Sequence, residues 1–196
     1  MSILRRARSI TVAGFLLAGG IGIISSTQTW LTVVRADAGE AILVPGADAI
    51  VLLAPLSLAV LALGAAMSLV GTVLRLIFAA LALATGGLLG VWTVQLLIDV
   101  PLSAVASVVT ETTGLAGTTA LEMMIAEITA SAWPMIALAG WIVLIIAALF
   151  ALITGAHWKR GGRRFRTDAA PPATTTGPVD AVDSWDDLTR GTDPTR

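Results

Sequence analysis

Apolar positions in this chain gather into four charge-free windows, residues 9–34, 49–74, 76–98 and 128–158. Each exceeds the roughly 20 apolar residues that carry a helix across a bilayer core. The pattern predicts four membrane-spanning helices over about residues 9–28, 50–70, 75–98 and 132–155. A single charge, Arg75, interrupts residues 49–98, so that stretch reads as two spans joined by a tight turn near Gly71. Pro55 falls in the early turns of the second span and Pro134 at the start of the fourth, where a missing N–H costs little. The predicted fold class is all-α, a polytopic membrane protein with four transmembrane helices in residues 1–158.

Two polar stretches separate these windows. The first, residues 27–48, holds Arg35, Asp37, Glu40, Asp48 and the turn signal Pro45-Gly46. Residues 29–34 alternate too poorly to predict more than a weak strand. The second, residues 99–131, carries Asp99, Glu111, Glu122 and Glu127 and no basic residue. Leu121, Met124, Ile125 and Ile128 recur at helical spacing, which predicts either an amphipathic helix on the membrane surface or a helical lead-in to the fourth span. Beyond the last window come a basic juxtamembrane segment (159–166), then a tail (167–196) whose Thr-, Ala- and Pro-rich start predicts disorder. Within that acidic tail a short helical motif is expected over 184–190, capped by Asp183 or Ser184 and closed by Gly191.

Small residues recur along two spans: Gly14, Ala18, Gly22 and Ser26 in the first, Ala82, Gly86 and Gly90 in the third. Such stripes let helix backbones approach closely in lipid, and contact within the bundle is expected of both.

Composition and charge add orientation. The chain is 56% hydrophobic and 13% charged over 196 residues, against about a quarter charged in a soluble domain. Basic residues cluster at the first span (Arg5, Arg6, Arg8), the tight turn (Arg75) and the exit from the fourth (Lys159, Arg160, Arg163, Arg164, Arg166); only Arg35 lies in the opposite loops. The positive-inside rule then places both termini in the cytoplasm and the protein in the plasma membrane. The basic start and apolar run resemble a signal peptide, but Ala36-Asp37-Ala38 lies too far beyond the run for cleavage to be expected.

Candidate chemistry is sparse. Absence of cysteine removes disulfides and thiolate sites, and the lone His157 cannot build a histidine-rich metal centre. Glu122 and Glu127, five apart, do not share a helix face well. No enzyme activity, cofactor or metal is expected. No ionisable group falls at the centre of a span, which argues against ion-coupled transport; Gln95 and Asp99 come nearest, at the boundary of the third. Trp30, Trp92, Trp133 and Trp141 fall towards one end of the spans. They read as interfacial anchors, or as an aromatic cluster facing a ligand. Lys159, Arg160, Arg163, Arg164 and Arg166 suit anionic lipid head groups as well as topology. The acidic tail argues against nucleic acid. Trp185, with Asp186, Leu188, Arg190, Gly191, Asp193 and Pro194, forms a candidate docking motif for a cytoplasmic protein partner.

The tail carries a resemblance too. Trp185-Asp186-Asp187-Leu188-Thr189-Arg190-Gly191-Thr192-Asp193-Pro194-Thr195 resembles the closing pattern of the tryptophan-biosynthesis-associated membrane proteins of actinobacteria, with Thr189 in place of the usual Asp and Thr192 in place of the usual Glu. Trp30 with Thr32, Trp133-Pro134 and His157-Trp158 fit the same layout; Gly162-Arg163-Arg164-Phe165 departs from it. The resemblance implies a role in tryptophan physiology, and brings no reaction or catalytic residue with it. Two functions follow as expectations. The first is a non-enzymatic membrane protein whose tail recruits a partner. The second is a transporter or sensor of tryptophan or another aromatic compound.

Overall fold

The computed structural model describes residues 2–114 and 117–154, with side chains from residue 7 onward. It is mostly helical. The elements in chain order are α1 (Ser2–Ser26), β1 (Thr29–Arg35), β2 (Ile42–Pro45), α2 (Gly46–Ala49), α3 (Leu53–Ala66), α4 (Thr72–Ile98), α5 (Ser103–Thr113), α6 (Thr118–Met124), β3 (Ile125–Ala130) and α7 (Trp133–Thr154). Among the described residues, three helices are long and apolar enough to cross a membrane: Ala7–Ser26 within α1, α4 and α7. The second window, residues 49–74, yields a shorter helix. The 14 residues of α3 span about 21 Å at 1.5 Å per residue, with turns on either side.

The four apolar helices alternate in direction. Gly14 of α1 faces Ala147 of α7, and Gly22 faces Trp141; Ser25 Oγ donates to the Trp133 carbonyl, so α1 and α7 are antiparallel. Gly64 of α3 meets Phe15, while Ser57 meets Gly22, so α1 and α3 are antiparallel as well. On α4, Gly86 lies against Leu144 and Ile145 of α7, and Thr93 against Trp141. Thus α1 sits between α3 and α7, and α7 between α1 and α4. One end of the bundle carries the α3–α4 hairpin. The other end carries the strands and short helices of the described residues.

Close approach explains why this bundle forms. A Cβ on Gly22 would lie 2.3 Å from Ser57 Oγ and 2.6 Å from the Trp141 ring, so only glycine admits both neighbours. Such contacts matter in lipid, where apolar side chains gain little by leaving apolar tails. Ala18, Ser26 and Ala82 are buried, as expected of the two stripes. Gly90 is the exception, with nothing within 4 Å of a Cβ there. The outward faces remain apolar: Leu17, Leu58, Leu81, Val91, Ile146 and Ile153 are exposed. Hydroxyls in the interior bond their own helices, Ser57 to the Leu53 carbonyl and Thr93 to that of Leu89. Arg75 lies in the first turn of α4, not in the hairpin itself; it is 4% exposed and donates back to the Val70 carbonyl.

The all-α expectation is corrected at the other end. A three-stranded antiparallel sheet, ordered β2-β1-β3, closes it. Leu31 pairs with Val44 and Val33 with Ile42, and all four are buried. Thr29 pairs with Pro45 but Leu31 with Val44, so Trp30 is the extra residue of a bulge and turns inward beside Leu31. The expected helix over 121–128 is corrected too: α6 stops at Met124 and the chain continues as β3. Arg35 pairs with Ile125 and Val34 with Glu127, leaving Ala126 as a bulge. Discounting it, Ile125 and Ile128 are two pairing steps apart and share a face. Both are half-buried, and Glu127 is exposed.

Candidate functional site

At the sheet end, the chain leaves β2 at Pro45 and turns at once into α2. This corner fits because Gly46 has no side chain: a Cβ there would lie 2.6 Å from Trp30 Nε1. The fully buried Trp30 indole donates to the Ser25 carbonyl (2.9 Å) and Ser25 Oγ (3.0 Å). It thereby ties the sheet to the end of α1. Beyond α2, residues 50–52 form a turn before α3 begins. Across from them α4 ends at Ile98, and α5 packs back over β2 and α2 with Ala104, Val105 and Val109 buried.

These segments leave a cavity of about 370 Å³ between α2, the turn before α3, the end of α4 and the start of α5. Asp48, Trp92, Gln95 and Ser103 supply its polar and aromatic groups, while Ile50, Leu96 and Ala104 supply apolar wall. Trp92 is half-buried; Asp48, Gln95 and Ser103 are exposed. Among the described residues, no basic side chain lines this space.

Of the four tryptophans expected to face a ligand together, Trp92 alone lines this cavity. Trp30 lies under Gly46. Trp141 is fully buried between helices and donates to Thr93 Oγ1 at 3.3 Å. Trp133 is half-buried at the start of α7. The indoles of Trp30 and Trp141 are therefore structural, each with its N–H bonded inside the protein. Asp48 and Ser103 were not singled out from the sequence; only the fold brings them beside Trp92 and Gln95. The expected lipid contacts Lys159, Arg160, Arg163, Arg164 and Arg166 lie outside the described residues. So does the motif of Trp185, Asp186, Leu188, Arg190, Gly191, Asp193 and Pro194.

Outside the bundle, Arg35 Nε donates to Asp37 Oδ1 at 2.9 Å, and Asp37 also accepts from the Gly39 N–H. The guanidinium hydrogen bond, then the Gly39 N–H, hold the Asp37 carboxyl below its usual range, and the same bond raises Arg35. The ion pair staples the loop between β1 and β2.

Antiparallel apolar helices with greasy outward faces and a small sheet-and-helix cap define a multi-pass membrane protein. A family model described as tryptophan-associated transmembrane protein matches residues 12–195. The chain belongs to that family. No curated protein and no solved structure matches it.

Proposed function

We propose that this tryptophan-associated protein crosses the plasma membrane four times with both termini in the cytoplasm. Its work is association, not catalysis. The observation that carries the topology is the alternation of α1, α3, α4 and α7, which gathers the strands and short helices at one end of the bundle. Arg8 and Arg75 fall at the opposite end, and the basic residues 159–166 follow α7 in sequence, as the positive-inside rule requires. In this reading α3 is the second of the four spans, with its flanking turns and a locally thinner bilayer making up the length. A reporter fused after Arg196 is active inside the cell; activity only outside overturns the topology.

The tail then meets the cytoplasm, where residues 183–196 recruit a protein partner and the basic 159–166 segment rests on anionic lipid. Support comes from the bundle interior, whose buried polar side chains among the described residues include hydroxyls such as Ser57 and Thr93 and no carboxylate. That suits an anchor better than an ion-coupled pump. Crosslinking in native membranes followed by deletion of 183–196 tests it: the captured partner disappears with the tail. If every crosslinked protein survives the deletion, recruitment by the tail is wrong.

The cavity beside Trp92 favours a second reading, a transporter or sensor of tryptophan or another aromatic compound. Its test is the accumulation of labelled tryptophan in cells with and without the gene.

A further inference from the structure

The cavity under α5 allows the second reading to be carried to a ligand class and to residue roles. About 370 Å³ lies at the small end of the ligand-pocket range of roughly 300–1,000 Å³, so the occupant is one small molecule and not a peptide. Trp92 offers a flat aromatic surface. Ile50, Leu96 and Ala104 make the surrounding wall apolar, which suits a ring better than a sugar or a phosphate.

The polar groups narrow the class. Asp48 is the charged side chain of the lining. Its carboxylate accepts hydrogen bonds from an ammonium and repels phosphate and anionic lipid head groups. Gln95 brings an amide N–H₂ and Ser103 a hydroxyl, both able to donate to a carboxylate. An acceptor for a cation, two donors for an anion and a flat apolar platform together complement an aromatic amino acid in its zwitterionic form.

We propose that the cavity binds an aromatic α-amino acid, its ring against Trp92, its ammonium at Asp48 and its carboxylate at Gln95 and Ser103. This inference rests on the reading that the sheet end of the protein meets an aromatic compound. It adds that the ammonium, and not the ring alone, is recognised. It also confines binding to Trp92 among the four tryptophans.

Binding of labelled L-tryptophan to the full-length protein in lipid nanodiscs is the test, with tryptamine, indole and L-leucine as competitors. L-tryptophan should bind saturably and indole at least tenfold more weakly, since losing charge-assisted hydrogen bonds costs about that much or more. L-leucine should compete poorly. Trp92→Ala should reduce affinity for all three aromatic ligands. Asp48→Asn should weaken L-tryptophan and tryptamine about tenfold and leave indole unchanged. Because Trp92→Ala could loosen α4, Ser103→Trp serves as a second variant: it fills the cavity from an exposed position and should abolish binding with an unchanged melting temperature. Val91→Ala, on the outward face of α4, should bind as the unaltered protein does. No saturable binding, binding insensitive to Ser103→Trp, or indole matching L-tryptophan would each overturn the proposal. Its fate is separable from that of the second reading. If deletion of the gene alters tryptophan accumulation while the purified protein binds none in this cavity, the reading stands and the site falls. If the site binds while accumulation is unchanged, transport falls and the site stands as a receptor.

Discussion

The helical bundle and the sheet end bury the same kind of residue by different means. In the bundle, Trp141 is enclosed because Gly22 has no side chain, and its N–H goes to the Thr93 hydroxyl on a neighbouring helix. At the sheet end, Trp30 is enclosed because Gly46 has none, and its N–H goes to the last turn of α1. The environments differ. Surrounded by lipid, the bundle gains little from hiding apolar surface and depends on close packing and hydrogen bonds. The sheet end buries Leu31, Val33, Ile42, Val44, Val105 and Val109 at its side of the core, where removal from water is itself stabilising. Equivalent substitutions should therefore cost unequal amounts in the two regions.

The largest effect is expected at Trp30. Trp30→Ala removes a fully buried indole and both hydrogen bonds to Ser25, a loss of about 3–5 kcal/mol by the usual cost of such truncations. Limited proteolysis of the loop at residues 36–41 should accelerate while α1, α4 and α7 stay protected. Equal loss of protection throughout would mean that the two regions fold as one unit, and the contrast would fail.

Next comes Gly22→Leu, which forces a side chain into space held by Ser57 and Trp141. Overpacking of this kind costs about 1–3 kcal/mol and should lower the melting temperature in detergent. Gly90→Leu is its control: open space surrounds that position, and the melting temperature should not change. Leucine is the better helix former, so a fall at Gly90 comparable to that at Gly22 would show that close approach at Gly22 does not set the response.

That pair also marks how far the sequence could be read. Four apolar windows and the small-residue stripe of α1 were legible because a span is a local property of composition and spacing. The placement of Gly90 was not, since GxxxG does not say which way a helix is turned towards its neighbour. The sheet was hidden for a more specific reason. Bulges at Trp30 and Ala126 break the period of two by which strands announce themselves. Ala126 puts Ile125 and Ile128 on one face at a separation of three, the spacing of a helix. Hence 121–128 reads as one amphipathic helix although half of it is a strand. For the candidate site, Trp92 and Gln95 were visible as polar or aromatic positions near the end of a span. Asp48 lies in α2 and Ser103 opens α5, far apart in sequence, and only the return of α5 over α2 gathers them.

A smaller effect tests the glue of the bundle. Thr93→Val keeps the shape but removes the acceptor for Trp141 Nε1. Hydrogen bonds between membrane helices average about 0.6 kcal/mol and reach about 1.7, so the melting temperature should fall modestly, well short of the change at Gly22. A drop exceeding that of Gly22→Leu would mean that hydrogen bonding holds these helices together more than close packing does.

The smallest effect separates the two regions by pH. Asp37 has its pKa lowered in the folded protein, first by the Arg35 hydrogen bond and then by the Gly39 N–H. A depressed carboxylate stabilises the fold above its unfolded pKa of about 3.9, and that contribution is lost as pH falls through the lower folded value. Protection of residues 36–41 against a protease active in acid should thus decline below about pH 4. Protection of the α1–α7 contact, which rests on Gly14, Ala18 and Gly22, should not change with it. Asp37→Asn should flatten the decline while leaving an exposed pair's small contribution absent at every pH. An unaltered acid profile in Asp37→Asn would show that the Asp37 carboxylate is not the cause. The ion pair would then be an ornament of the loop and not its staple.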